Sequence, residues 1–391
     1  MANNNENKIL NVPNLRFPEF SGKWKKCTLG DITINFNLRN KEKIELPMYS
    51  VTNNRGFIPQ SEQFEDRDMV GEDIKAYKII HNKDFAYNQA RINVGSIAKY
   101  NGSKPCMISS LYVCFKAANG IDEDWLMHLL RSPKIQYYYN INGEGGVRIY
   151  LFYPNFARIR TSFPTIAEQR KIANLLSLLD ARITTQNKII EDLKKLKSAI
   201  IHCCYSSKTD MVSLSELLKQ CSERNRSATD LQVLSVNNKY GFIAQSDQFE
   251  DREVASDDTT NYKVVEKGMF AYNPARINVG SIALYEMDGK GIVSPMYVCF
   301  TTKRTLLPGY LKHYFASQTF RHEMFKRLEG SVRLCLTFDS LCNIEIPLPS
   351  IELQENVGKY LSTIERKISL EESMLSQYQL QRSYLLSQMF I

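Results

Sequence analysis

The chain repeats itself at a spacing of 185 residues, and this constrains its fold more than any local motif. Ser50 opens SVTNNRGFIPQSEQFEDRD and Ser235 opens SVNNKYGFIAQSDQFEDRE; Phe85 opens FAYNQARINVGSIA and Phe270 opens FAYNPARINVGSIA. Set against Ser235–Phe300 without gaps, Ser50–Phe115 is identical at more than half of its positions. The register persists where Glu144-Gly145-Gly146-Val147-Arg148 meets Glu329-Gly330-Ser331-Val332-Arg333, and where Phe163-Pro164-Thr165-Ile166 meets Leu348-Pro349-Ser350-Ile351. A period this long is no solenoid repeat, so it reads as duplication of a whole domain and its connector. Of 391 residues, two units and a leader of about 20 account for all.

Each unit divides in two. The first part, 21–160 and again 206–345, mixes short β-branched or aromatic runs with turn residues and predicts an α/β or α+β domain. Helices are expected at 122–139 and 308–326, with Trp125, Leu126, Leu129 and Leu130 at helical spacing. The second part, 161–205 and 346–391, predicts long helices starting near Pro164 and Pro349. Ile172, Leu176, Leu179, Ile183, Gln186, Ile190, Leu193, Lys197 and Ile200 step by four and three, as a heptad seam does. Val357, Leu361, Ile364, Ile368, Glu371, Leu375, Tyr378, Arg382 and Leu385 repeat those steps. A 36-residue helix would run roughly 54 Å.

The polar seam positions suggest a direction. In an antiparallel pair that sets Gln186 against Arg382, the repeat sets Lys197 against Glu371, and opposite charges meet. A parallel pair in register sets Lys197 beside Arg382, which repels. The expectation is an antiparallel intramolecular coiled coil carrying two similar domains; the alternative is two amphipathic helices packed on separate domains. Two readers related by a two-fold suit inverted half-sites on duplex DNA.

The helix start Phe163-Pro164-Thr165-Ile166-Ala167-Glu168-Gln169-Arg170-Lys171-Ile172, followed by Leu178-Leu179-Asp180-Ala181-Arg182-Ile183, resembles the conserved region of type I restriction–modification specificity subunits. So do Pro13-Asn14-Leu15-Arg16-Phe17-Pro18-Glu19-Phe20, Trp24 and Leu29-Gly30-Asp31-Ile32, while Leu348-Pro349-Ser350-Ile351-Glu352-Leu353-Gln354 is looser. The resemblance covers nearly the whole chain. It implies a leader at 1–20, recognition domains at 21–160 and 206–345, and conserved helices at 161–205 and 346–391. It further implies a subunit without catalysis of its own, reading a bipartite target in double-stranded DNA and carrying two methylation subunits. Restriction subunits would complete the complex. S-adenosylmethionine, ATP and Mg2+ would then sit on those partners, with no cofactor or metal on this chain.

Motif searches agree with that division of labour. The sequence has no Gly-x-x-x-x-Gly-Lys-Ser/Thr phosphate loop and no methyltransferase Asn-Pro-Pro-Tyr; Asn273-Pro274-Ala275 is not one. His81, His128, His202, His313 and His322 form no metal spacing, and His128 and His313 read as packing or surface residues. The nine Cys lack a Cys-x-x-Cys pair, no run approaches the ~18 apolar residues of a membrane span, and the start is polar. A soluble, cytoplasmic protein is expected. The net charge of +8 permits a nucleic-acid partner without requiring one.

Candidate DNA contacts come from the most alike block: Tyr87, Asn88, Arg91, Asn93 and Ser96, with twins Tyr272, Asn273, Arg276, Asn278 and Ser281. Arg bridges guanine and Asn bridges adenine in the major groove. Arg91 and Asn93 alternate with apolar neighbours like the open face of a strand, and Phe85, Ala86, Ile92, Val94 and Ile97 read as core. Lys78, Lys263, Arg148 and Arg333 are candidates for phosphate. Similar readers imply half-sites that share bases, with differences arising from 68–76, 99–107, 253–261 and 284–292. The other readings are a free-standing DNA-binding protein and a coiled-coil scaffold that binds protein only.

Overall fold

In a computed structural model, residues 11–63, 74–146, 149–206, 210–226, 231–248, 258–330 and 333–391 are described. The backbone divides into two units, Met1–Gln186 with Met374–Ile391, and Asn187–Ser373. Each helix is therefore shared between units, a division that sequence-based boundaries at the helix starts did not foresee. Residues 11–20 are no detached leader. The Leu15 amide donates to Gln388 O at 3.0 Å, and the Arg16 guanidinium clasps Glu168 at 2.7 and 2.8 Å. Glu168 is 1% exposed and also accepts from Trp24 Nε1 at 3.2 Å, so the buried carboxylate has both charge and hydrogen-bond partners.

In the first unit, an antiparallel sheet runs in the order Thr33–Phe36, Tyr112–Ala117, Phe85–Asn88, Ile97–Lys99. Beside it lie the hairpin Tyr49–Thr52/Gly56–Pro59 and the pairs Lys78–Ile80/Cys106–Ile108 and Lys25–Thr28/Arg160–Phe163. Phe85 stacks on Phe115 at 5.0 Å, and Tyr87 on Phe156 at 5.3 Å. The helix expected over 122–139 is two helices, Glu123–Leu130 and Pro133–Asn142. Pro133 explains the break: it has no amide to donate and forces Ser132 into extended backbone (ψ 146°).

The second unit repeats this plan. Its sheet runs Leu218–Cys221, Val298–Thr302, Phe270–Tyr272, Ile282–Leu284. A further sheet, Gly241–Ala244, Val233–Asn237, Lys290–Val293, Lys263–Glu266, contains one parallel pair. Its first-unit counterpart is reduced there to the Met48–Met107 bridge. The region 308–326 is again two helices, Pro308–Phe315 and Gln318–Phe325, the second capped by Ser317 Oγ accepting from Phe320 N at 3.0 Å. Both units are thus mixed α/β, with local helices packed on one side of a largely antiparallel sheet.

The long helices are Ile166–Tyr205 and Ile351–Gln388. Each is fastened to its domain by one glutamine. Gln169 accepts from Asp122 N (2.8 Å) and donates to Gly120 O and Pro164 O (3.2 and 2.9 Å). Gln354 does the same with Leu307 N, Thr305 O and Pro349 O (2.9, 3.0 and 2.9 Å). All seam positions from Ile172 to Ile200 and from Val357 to Leu385 are buried or half-buried. Within the first unit, Asp180 pairs with Arg382, and Arg182 lies over the Tyr378 ring at 5.1 Å. Within the second, Lys194 meets Glu372 at 2.6 Å and Lys197 meets Glu365 at 2.7 Å. Numbers rise on one helix as they fall on the other, so both segments are antiparallel.

The register differs from the one expected. Arg382 takes Asp180, not Gln186, and Lys197 takes Glu365, not Glu371. Glu371 is held by Lys367 on its own helix. Asp180 and Glu365 are repeat counterparts, as are Arg382 and Lys197, so one ion pair occurs twice. A long cation reaches past the seam to a carboxylate at its edge, where the charge-assisted bond stays partly hydrated.

Candidate nucleic-acid interface

Asn88 ends one strand and sets the turn that follows. Its Oδ1 accepts from Ala90 N at 3.0 Å, its amide donates to Ser96 O at 3.0 Å, and Arg91 N returns to Asn88 O at 3.1 Å. A 3-10 turn, Ile92–Val94, then closes on Gly95, whose φ of +95° is the left-handed conformation glycine tolerates. Asn273 and Gly280 (φ +90°) repeat the construction around Arg276. Ser96 Oγ donates to Val51 O at 2.8 Å and Ser281 Oγ to Val236 O at 3.0 Å, locking each turn to the neighbouring hairpin.

That hairpin brings a second turn alongside. A Cβ added to Gly95 would lie 3.5 Å from Asn53 Cβ, and one added to Gly280 would lie 3.4 Å from Asn238 Cβ. Asn53, Asn54 and Arg55, and their counterparts Asn238, Lys239 and Tyr240, are exposed. Sequence reasoning missed these residues. Their signal was present in the repeated Asn-x-x-Gly, whose Gly56 and Gly241 take φ +67° and +68°. The result in each unit is a polar, hydrogen-bond-rich ledge of two adjoining turns.

Arg91 and Arg276 stand exposed on the ledge, and among the described residues neither guanidinium has a partner. They lie on a 3-10 turn, not on the open face of a strand. In that turn only Ile92 and Ile277 point inward, and Val94 and Val279, read as core from sequence, are 54% and 53% exposed. Asn93 is half-buried and donates to Asn140 Oδ1 at 3.3 Å; Asn278 is half-buried. Arg333 is exposed, and Arg148 lies outside the described residues.

The other candidates are spent on the fold. Tyr87 and Tyr272 are 0% exposed and belong to the cores, so they are not contact residues. Ser96 and Ser281 are buried, and Asn88 and Asn273 use their Oδ1 on the turn. Lys78 Nζ donates to Tyr112 O and Lys263 Nζ to Tyr297 O, each at 2.6 Å. Burial pushes the Lys78 ammonium down, as expected of a lysine drawn away from water and phosphate. The tyrosines offer a clean check. The Tyr87 hydroxyl is buried without a partner among the described residues, whereas Tyr272 Oη donates to Leu336 O at 3.1 Å. Tyr87→Phe is expected to leave urea stability unchanged or slightly raised, and Tyr272→Phe to cost about 1 kcal/mol. Neither should alter DNA binding.

Comparisons with known proteins give this two-unit fold its class. Residues 207–377 match the type I restriction modification DNA specificity domain family. A Methanocaldococcus jannaschii protein bearing the name type I restriction enzyme MjaX specificity subunit is 22% identical, over 89% of this chain and 91% of its own. The fold resembles the type I restriction-modification S subunit of M. genitalium (TM-score 0.62, 14% identity, 97% of this chain and 99% of that one). It also resembles a chain from a study of assembly and conformational transition of the type I R-M system (TM-score 0.52, 15% identity, 93% and 96%). The match lies almost wholly within the second unit, and the 185-residue repeat carries a similar sequence into the first. Residues 207–377 therefore carry a type I restriction modification DNA specificity domain, and the whole chain shares its two-unit fold with S subunits of such systems. Among the described residues no helix is long and apolar enough to cross a membrane, and no cluster of His, Cys, Asp and Glu could hold a metal.

Proposed function

We propose that this chain is the sequence-reading component of a type I restriction–modification complex, each unit reading one half of a bipartite target in double-stranded DNA. The observation that carries the reading is the duplicated ledge: Arg91 and Arg276 are exposed, free of internal partners among the described residues, and mounted on turns fixed by internal hydrogen bonds. A donor that is already oriented and not internally paired loses little on meeting a base edge or phosphate.

Catalysis is assigned to partners. Two methylation subunits using S-adenosylmethionine would act on the target, and restriction subunits using ATP and Mg2+ would complete the complex. Co-expression of the full chain with a methylation subunit tests this directly. The expected result is a stable complex that methylates one split motif, read by single-molecule sequencing of host DNA. Duplex binding without a methylation complex would favour a free-standing DNA-binding protein. A complex with no DNA affinity would favour a scaffold.

A further inference from the structure

The two ledges are alike, but what surrounds them is not. In the first unit the helix Pro133–Asn142 packs on the Arg91 turn through the Asn93–Asn140 hydrogen bond. The same helical face carries Tyr137 and Ile141, 63% and 56% exposed. Glu144 and Tyr150 exchange reciprocal backbone bonds, both 2.8 Å. Leu151 N fastens Tyr150 and Phe152 to the arginine turn through Gln89 O at 3.0 Å. Tyr150 and Phe152 stack at 6.5 Å and remain 38% and 42% exposed.

The second unit keeps that frame and changes its side chains. Glu329 and Cys335 exchange backbone bonds at 2.9 and 2.8 Å, and Leu336 N donates to Pro274 O at 3.1 Å. Yet Tyr150 is replaced by Cys335, Phe152 by Thr337, Tyr137 by His322 and Ile141 by Lys326. Thr337 stays exposed and caps a helix, its Oγ1 accepting from Ser340 N at 3.1 Å. The frame therefore stands without the aromatic pair, which leaves two exposed stacked rings in the first unit with no structural duty. The segments 99–107 and 284–292, expected from sequence to distinguish the readers, begin at the other end of the hairpin. Lys99 pairs with Phe85 and Leu284 with Phe270, whereas the arginine turns follow the Tyr87–Ile97 and Tyr272–Ile282 pairs.

We propose that the Tyr150–Phe152 pair is a specificity determinant of the first unit, giving its half-site a thymine beside the bases that both ledges read. Apolar side chains distinguish thymine by its 5-methyl group in the major groove. The second unit, with Cys335 and Thr337, reads the shared bases without that requirement. The two half-sites are then related but unequal. This rests on the DNA-reading function proposed above.

The test uses the full chain with a methylation subunit and compares motifs in host DNA. Tyr150→Cys/Phe152→Thr is expected to relax one flanking thymine in one half-site, with at least a tenfold fall in preference, and to leave the other half-site unchanged. The reciprocal Cys335→Tyr/Thr337→Phe is expected to add a thymine preference to the other half-site. Deoxyuridine at the flanking position should weaken binding of the parent chain about tenfold and of the Tyr150/Phe152 variant not at all. If the first variant methylates nothing, the reciprocal one decides. An unchanged motif, or equal changes in both half-sites, overturns the proposal. A parent chain that neither methylates with its partner nor binds duplex overturns the DNA-reading function itself, and this inference with it.

Discussion

Replacing Arg91 and Arg276 together by alanine is expected to weaken binding to the target duplex about thirtyfold or more while leaving the fold intact. Each guanidinium is exposed and unpaired among the described residues, so its loss leaves no buried group unsatisfied. Stability should stay within about 0.5 kcal/mol of the parent chain. A bidentate arginine–guanine contact accounts for about 1–3 kcal/mol of discrimination, and two such contacts give the stated range. The measurement is a titration of the full chain, co-expressed with a methylation subunit, with target and non-target duplexes at two salt concentrations. Base reading predicts a loss confined to the target duplex and no rescue by lysine, which lacks the planar fork. An equal loss on both duplexes, with a shallower salt dependence, would make these arginines phosphate contacts instead. Single substitutions should each relax one half-site, which ties each unit to its half of the motif.

The sequence singled out the two arginines as part of an open strand face, and the structure places them on a turn instead. Arg91-Ile92-Asn93-Val94 alternates polar and apolar residues as a strand would, and nothing in four residues separates that from a 3-10 turn. Gly95 was the discriminating residue, because φ +95° ends a strand. Identity between copies drew attention to Tyr87 and Tyr272, yet duplicated domains preserve cores as faithfully as surfaces, and both rings are core. The helix seam was legible because its period is intrinsic to the element. Pairing direction was legible from charge, since like charges in the parallel arrangement repel. Register was not, because Arg382 and Lys197 are long enough to choose carboxylates off the seam. The sharing of each helix between units arises only when distant segments pack, and no local pattern encodes it.

Acid is expected to destabilise the chain through one histidine in each unit. His128 and His313 are repeat counterparts, 6% and 1% exposed, packed from the helices Glu123–Leu130 and Pro308–Phe315 against the long helices. Their Nε2 atoms lie 3.2 Å from Ser177 Oγ and 3.3 Å from Ser362 Oγ. Burial dominates and lowers both to about 4, from an ordinary 6.5. At His128, Asp180 and Asp124 oppose the shift while Arg382 and Arg131 add to it. At His313, Glu365 opposes it while Lys312 and Lys197 add to it. The unfolded chain takes up a proton near pH 6.5 and the folded chain only near 4, so between those values the unfolded state binds more protons. Stability is therefore complete above about pH 6.5 and is lost as pH falls toward 4, by roughly 2–3 kcal/mol for each histidine. Urea unfolding at pH 7.5, 5.5 and 4.5 should show that loss, with His128→Asn/His313→Asn lower at pH 7.5 but distinctly flatter. A variant that loses as much as the parent over that range would exclude the histidines as its cause. Protonating His128 adds a cation to the place where Asp180 already balances Arg382, and protonating His313 does the same beside Glu365 and Lys197. The acid-sensitive point in each unit is thus a second contact, beside that of Gln169 or Gln354, between its sheet domain and the long helices, so duplex binding should fail over the same pH interval as the fold.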